Sequence, residues 1–385
     1  MKRILLLLLA LGAVCSLNAK TRKCLYRVTV TGKRAECPVV IRDVPEWAQS
    51  AVVSLGGVHR IPSQLDRELG ELVFVSGISG SQNFQVLYSS DPDKRVFKKR
   101  VHAQMWLKNP DKTLRAVGCA SSEKNDMYHK LHHHGPAFES EYAAYRIYFD
   151  NKQTVDTYGK KRPQLELAET MWYPSDEQLS RGYGHDNLRV FGSVGVGTLK
   201  GWDAEKRKMV HITDFKRREA RILADGPIRT VVEMRVEGWR YGGREITMTS
   251  RYILYAGHGD VQVENRIEGD FRGLVFTTGV MKMAESEVCK NDNVIAAFGR
   301  DFPENDTVKW ERESVGLGVA QTDDKTSYLF QLTPDARGRI DYAFEMIWRK
   351  SEWLKDRSDT ECVLGLMESV GAARTPVVVS RIRQF

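Results

Sequence analysis

Apolar and polar residues alternate with a period of two along much of this 385-residue chain. Val232, Met234 and Val236 alternate with Glu233, Arg235 and Glu237. Val261 and Val263 alternate with Gln262 and Glu264, and Tyr145, Ile147 and Phe149 with Arg146, Tyr148 and Asp150. Successive side chains of a strand point to opposite faces, so this pattern specifies half-buried antiparallel strands. Glycine pairs and clusters, such as Gly242-Gly243 and Gly257 to Gly259, break the runs into strand lengths. Helical spacing is scarce; residues 165–179 hold one short candidate helix, interrupted by Pro174. The expected fold class is all-β: a large antiparallel β super-sandwich with a small N-terminal β domain.

Three segments are expected. Residues 1–19 read as a signal peptide: Lys2 and Arg3, an apolar run over 4–11, and a small residue, Ala19, at the cleavage site. The run is shorter than the about 20 apolar residues that span a bilayer. No later segment is apolar for long enough to insert, so a periplasmic or secreted protein is expected. Val14 before Cys15 disfavours lipid attachment. Residues 20–100 read as a small β-sandwich-like domain, with strands near 28–30, 39–41, 52–55, 72–75 and 84–88 and a polar linker over 91–99. Residues 101–385 read as the large domain that carries the site.

The net charge of +8 is spread along the chain, and no nucleic-acid-binding motif accompanies it. It suits an acidic substrate better than a polynucleotide. Six cysteines become five after cleavage, none in a CxxC pair. Cys24 and Cys37 are a candidate disulfide in an oxidising compartment.

The chemistry-bearing residues fall in three places. His129, His132, His133 and His134 lie within six residues, ahead of the turn Gly135-Pro136 and a strand that contains Tyr142, Arg146 and Tyr148. On a strand those last three share a face. Tyrosine can stack or hydrogen-bond, arginine can clamp a carboxylate, and histidine moves protons near neutral pH. A metal set of His132, His134 and Glu139 is an alternative, but it matches no standard ligand spacing. The second place is Tyr183-Gly184-His185-Asp186, where flanking glycines let side chains project from a tight turn. The third comprises Arg229, Trp239, Arg240 and Arg251, candidate partners of an acidic sugar. No nucleophile elbow, HExxH helix, phosphate loop or dinucleotide fingerprint is present, which leaves lyases and glycosidases, whose residues come from scattered strands. No cofactor is expected.

The run Leu131 to Asp150, continued through Asp156 to Lys160, resembles the bacterial family known as domain of unknown function 4861. Ile61 to Gln64 with Glu71 to Phe74, His185 to Leu188, the glycines to Gly197, Gly201 to Asp203 and Gly226 to Arg229 resemble further parts of it. The resemblance implies an exported protein of polysaccharide-utilising bacteria, with a super-sandwich like that of sugar mutarotases and some lyases. It also implies an oligosaccharide dehydratase acting on uronic-acid ends.

On that basis the expected reaction is a β-elimination on a terminal uronic acid of an acidic oligosaccharide. His133 or His134 would take the C5 proton, Arg146 or Arg240 would hold the carboxylate, and Tyr158 or His185 would protonate the leaving oxygen. Tyr142, Tyr148, Arg229 and Trp239 complete the expected substrate contacts. An epimerase with Glu139 or Glu264 as its carboxylate, or a non-catalytic sugar-binding protein, are the alternatives.

Overall fold

A computed structural model describes residues 21–92, 97–303, 307–321, 328–374 and 378–383. The segment read as a signal peptide lies outside the described residues, and part of the 91–99 linker does too. About 52% of the described residues are in strands and 10% in helices. Every pairing between named strands is antiparallel.

The largest sheet has nine strands. It runs from Cys119–Ser122 through Arg217–Asp225, Arg229–Tyr241, Arg244–Tyr255, Val261–Gly269, Arg339–Trp348, Glu313–Ala320 and Val294–Asp301 to Glu285–Lys290. Its inner face carries Val232, Met234, Val236, Tyr252, Val263 and Phe344, all buried. Its outer face carries charges in cross-strand pairs: Glu233 stands opposite Arg251, which stands opposite Glu264. A five-stranded sheet packs on the inner face, ordered Val101–Gln104, Ala137–Ser140, Ala143–Ile147, Val155–Gly159, His185–Asp186. A four-stranded sheet containing Lys200–Asp203 and Phe276–Gly279 lies on the same side. One continuous apolar core joins all three, with Phe138, Tyr145 and Ile147 from the five-stranded sheet and Phe276 and Phe330 from the four-stranded one. The super-sandwich expected from the alternation is therefore the architecture.

The N-terminal sheet is built on two long strands, Lys23–Ile41 and Glu71–Ser89. They pair from Lys23 opposite Ser89 to Ile41 opposite Leu72, with one bulge between Arg34 and Cys37. The short strands expected at 28–30 and 39–41 are one strand, because the bulge absorbs the irregular stretch between them rather than ending the pairing. Cys24 and Cys37 lie on that one extended strand, thirteen residues apart in sequence, so the rise of about 3.3 Å per residue keeps them from bonding. All five described cysteines are free thiols. The final strand, Val378–Arg383, returns from the far end of the chain and pairs with Lys23–Ile41.

The helix expected over 165–179 is two short helices, Leu167–Thr170 and Asp176–Ser180, separated by the turn at Pro174. Among the described residues the longest helix is Asp359–Ala373, which the sequence reading does not anticipate. Its N-terminus carries a full capping box, Ser358 with Glu361. It buries Val370 and Ala373 against Val294, Ala320 and Ala343, at the edge of the nine-stranded sheet where the outer face loses its charges.

Candidate functional site

The hairpin Ala143–Ile147/Val155–Gly159 sets Arg146 directly opposite Asp156, so both side chains share the face turned away from the main core. Asp186, on the next strand, shares that face through its pairing with Tyr158. The Arg146 guanidinium donates through Nε and Nη2 to Asp156 Oδ2, at 2.9 and 2.6 Å, and through Nη2 to Asp186 Oδ2 at 2.8 Å. It donates also to the hydroxyls of Tyr148 at 2.8 Å and Tyr173 at 3.0 Å. The Trp172 indole lies under the guanidinium, 4.5 Å from ring centroid to Cζ, and donates to Asp186 at 3.1 Å. Burial, and then the Asp156 charge, raise the Asp186 carboxyl far above the usual carboxylate range, against the opposing pull of Arg146.

The histidine cluster approaches this network through a short 3-10 turn, His132–His134. His133 and His134 both take left-handed backbone, at φ 44 and 68°. Conformations of that kind are costly for a residue with a side chain and concentrate at functional sites. Gly135 is what lets the turn sit there: a Cβ on it would lie 1.8 Å from the Ile147 carbonyl oxygen. The backbone then closes on the hairpin, Phe149 N donating to His134 O at 2.9 Å and Ile147 N to Pro136 O at 3.0 Å.

The turn sends its three rings in different directions. His132 Nε2 meets the Met171 carbonyl at 3.0 Å. His133 is 1% exposed beside Gln104 and Trp172. Only His134 enters the cavity beside Arg146. Its ring lies flat on Tyr128, centroids 4.0 Å apart and planes 7° off parallel. Its Nδ1 is 2.9 Å from the Tyr128 carbonyl oxygen. A carbonyl only accepts, so Nδ1 carries the proton and the neutral ring leaves Nε2 with a free lone pair. Burial lowers the pKa of this histidine and favours that neutral form.

The cavity these groups line measures about 480 Å³. Tyr148, Tyr173, Asp150, Lys152, Arg189 and Phe191 complete its walls. Tyr173 is 45% exposed; its oxygen accepts from Arg146, so its own proton remains to be given. Lys152 makes no ion pair with a carboxylate among the described residues, whereas Arg189 is held by Asp301 at 2.7 Å. The lining of this cavity thus offers a proton acceptor, a phenol and an uncommitted cation.

The other expected site residues stand elsewhere. Arg146 is in the cavity, but its guanidinium is held by the Asp156 carboxylate and by Asp186, and it is not free to clamp a substrate carboxylate. Tyr142 falls in the hairpin turn rather than on the strand, and packs edge-on against Trp353, centroids 5.2 Å apart. Tyr158 is fully buried and bonds Glu166 and the Gly184 carbonyl, both at 2.8 Å. His185 precedes Asp186 on one strand and so points to the opposite face, where its nitrogens meet the Asp186 carbonyl at 2.6 Å and Glu313 at 3.2 Å. Glu139 is closed off by Lys160 and the backbone amides of Glu166 and Leu167, so it does not join His132 and His134. Trp239 is 1% exposed and stacked on Tyr241, because a bulge between Val236 and Trp239 turns it inward. Arg240 is exposed at the end of that strand, and Glu264 lies on the charged outer face.

Arg229 has a structural position. It donates to Asp66, and to Glu71 at 2.7 Å, while Gln64 accepts from the amides of Ile228 and Arg229 at 2.9 and 2.8 Å. The stretches 61–64, 71–74 and 226–229 therefore meet at one joint between the N-terminal sheet and the nine-stranded sheet.

Tyr128, Asp156 and Tyr173 are not among the residues singled out from the sequence, and Asp186 enters there only as the neighbour of His185. The cross-strand partner of Arg146 was within reach of the sequence, since a hairpin turn over 148–154 brings 146 opposite 156. Tyr128 and Tyr173 carry no local signal.

No curated protein sequence matches the chain. Among solved structures, a protein in the glycosyl hydrolase family 38 from Enterococcus faecalis is similar at 8% identity and a TM-score of 0.44, over 93% of this chain and 47% of that one. An alpha-mannosidase from Enterococcus faecalis V583 is similar at 8% identity and a TM-score of 0.38, over 93% of this chain and 46% of that one. The chain spans about half the length of each. The model of the family described as domain of unknown function DUF4861 matches residues 36–364, nearly the whole described body including the histidine turn, the Arg146 hairpin and the Gln64–Arg229 joint, and the chain belongs to that family.

Proposed function

We propose that the protein is an exported, periplasmic or secreted, carbohydrate-active enzyme that performs a β-elimination on the terminal uronic acid of an acidic oligosaccharide. The observation that carries this reading is His134: its proton is fixed on Nδ1 by the Tyr128 carbonyl, which leaves Nε2 a lone pair, and its ring lines a cavity together with Tyr173 and Lys152.

The C5 proton of a uronic acid lies next to a carboxylate, and removing it builds negative charge on that group. Lys152 supplies the countercharge where it develops. His134 Nε2 takes the proton. The C5–H electron pair forms the C4=C5 double bond, the C4–O bond breaks, and Tyr173 protonates the departing oxygen. The phenolate is stabilised by the Arg146 guanidinium that already donates to its oxygen. If the leaving group is hydroxide, water departs and the enzyme is a dehydratase; if it is a sugar, the enzyme is a lyase. The Arg146–Asp156–Asp186 network positions Tyr148 and Tyr173 and touches no substrate carboxylate.

The test is ultraviolet absorbance of the conjugated 4,5-unsaturated uronate, with purified protein and a panel of saturated uronic-acid oligosaccharides, beside a His134→Ala control. A rise that the control lacks supports the reading, and mass spectrometry of the product separates loss of water from chain cleavage. Binding without any rise, on every substrate, overturns it in favour of an epimerase or a binding protein.

A further inference from the structure

Phe191 stands at the rim of the His134 cavity and is 57% exposed. Its backbone is left-handed, at φ 47°. A bulky residue in that region is a steric outlier, and such strain persists only where the surroundings over-determine it. Here they do. The turn 190–193 closes on itself: Ser193 donates to the Val190 carbonyl through its amide at 3.1 Å and through its hydroxyl at 2.6 Å. The buried Lys200 ammonium donates to the Gly192 carbonyl at 3.4 Å and to Thr154 Oγ1 at 3.2 Å. Thr154 donates in turn to the Ser193 carbonyl at 3.1 Å. These bonds tie the turn to the hairpin that carries Lys152. Arg189 backs the ring, its Cζ 5.6 Å from the Phe191 centroid, and is itself fixed by Asp301 at 2.7 Å and the Phe302 carbonyl at 3.0 Å.

An aromatic ring left in water adds little to folding, yet this one is held out on a strained and firmly bonded turn. It is apolar surface organised in advance for a partner, which lowers the ordering cost of binding. The groups beside it in the cavity are polar or charged: His134, Tyr173, Arg146, Asp150 and Lys152. A pyranose has the same division, with hydroxyls around its edge and C–H bonds on a face that packs against an aromatic ring. In a terminal uronic acid the reacting carbons are C4 and C5. The next sugar is joined through C1, across the ring from C4, and so extends from the reacting end of the cavity toward its rim.

We propose that Phe191 is the platform of a second sugar subsite, on which the sugar next to the terminal uronic acid packs its C–H face, so that the enzyme selects oligosaccharides over single uronic-acid units. The proposal rests on the elimination reading for which sugar occupies the cavity. The cation nearest the platform, Arg189, is committed to Asp301, so the second sugar is recognised by its face and not by a charge.

The test uses trisaccharides that end in glucuronic, iduronic or galacturonic acid, each beside the methyl glycoside of the same uronic acid. Two readouts are taken on the full mature chain: kcat/KM from product absorbance, and Kd by calorimetry in a His134→Ala background, where binding is read without turnover. At least one trisaccharide is expected to be preferred over its methyl glycoside by about tenfold or more in both readouts. Phe191→Ala should cut that preference about tenfold, mainly through KM, and Phe191→Tyr should keep it. The preference is a ratio measured on one preparation, so it does not change with the fraction of the variant that is folded. The absence of any preference in the wild type overturns the proposal, as does a preference that Phe191→Ala leaves intact or that Phe191→Tyr loses equally. A Kd preference that depends on Phe191, with no elimination on any substrate, overturns the elimination reading alone.

Discussion

The His134 imidazole lies flat on the Tyr128 ring, 4.0 Å away, and its Nδ1–H is bonded to the backbone carbonyl of the same Tyr128. One residue therefore fixes both the plane and the tautomer of the proposed base. His134→Ala is expected to lower kcat by about 100- to 10,000-fold, the usual weight of a general base. Tyr128→Phe keeps ring and carbonyl and is expected to stay close to wild type, while Tyr128→Ala loses the stacking and falls between the two. Steady-state rates of product absorbance check all three.

Burial lowers the His134 pKa, so the base is neutral to a lower pH than a free histidine. Activity should rise with pH on the acid side, with its midpoint below the free-histidine value of about 6.5. A pH profile of kcat/KM whose acid limb lies at or above that value would count against His134 as the base.

Tyr173→Phe removes the proposed acid while leaving the ring at the cavity mouth. The expected result is a fall in kcat of about 100-fold with little change in KM. A substrate with a better leaving group at C4 should recover most of the loss, because it no longer needs the proton. Equal losses on both substrates would indicate that Tyr173 only shapes the cavity.

Arg146 and Arg240 look alike in sequence and should behave oppositely. Arg146→Met leaves the Asp156 carboxylate buried without its cation, a change that typically costs about 3–5 kcal/mol. Arg240→Ala alters an exposed side chain and should stay within about 0.5 kcal/mol of wild type. Urea unfolding of the two variants separates them directly.

His133 gives a pH signature in stability. Burial holds its folded-state pKa well below the free value. Between the two values the unfolded chain binds more protons than the folded one, so stability rises with pH in that window. Stability is then lost as pH falls below about 6.5. His133→Leu should flatten the slope between the folded-state value and 6.5, measured as the change of the urea midpoint with pH.

The period of two was enough to specify antiparallel sheets, an apolar inner face and a charged outer one, since face alternation is a property of the strand backbone alone. It placed Arg146 and Tyr148 together for the same reason. It failed at Tyr142, because where a hairpin turn begins is decided by pairing with the preceding strand; Trp239, expected as a sugar contact, is turned into the core by a bulge that no local pattern announces. It failed at His185 through reliance on closeness in sequence: neighbours on a strand face opposite ways, and it is Asp186 that joins Arg146.

What the sequence determined by itself was therefore local and periodic: the all-β class, the histidine cluster ahead of the Gly135-Pro136 turn, and the Arg146 face of one hairpin. The tertiary structure decided which groups are free to act. Asp156 and Asp186 hold the guanidinium of Arg146, Glu313 and a backbone carbonyl occupy His185, and Asp66 and Glu71 turn Arg229 into a joint between sheets. Each of these partners is brought in by packing of separate strands, and charge pairing at 3 Å is invisible until the strands are placed side by side.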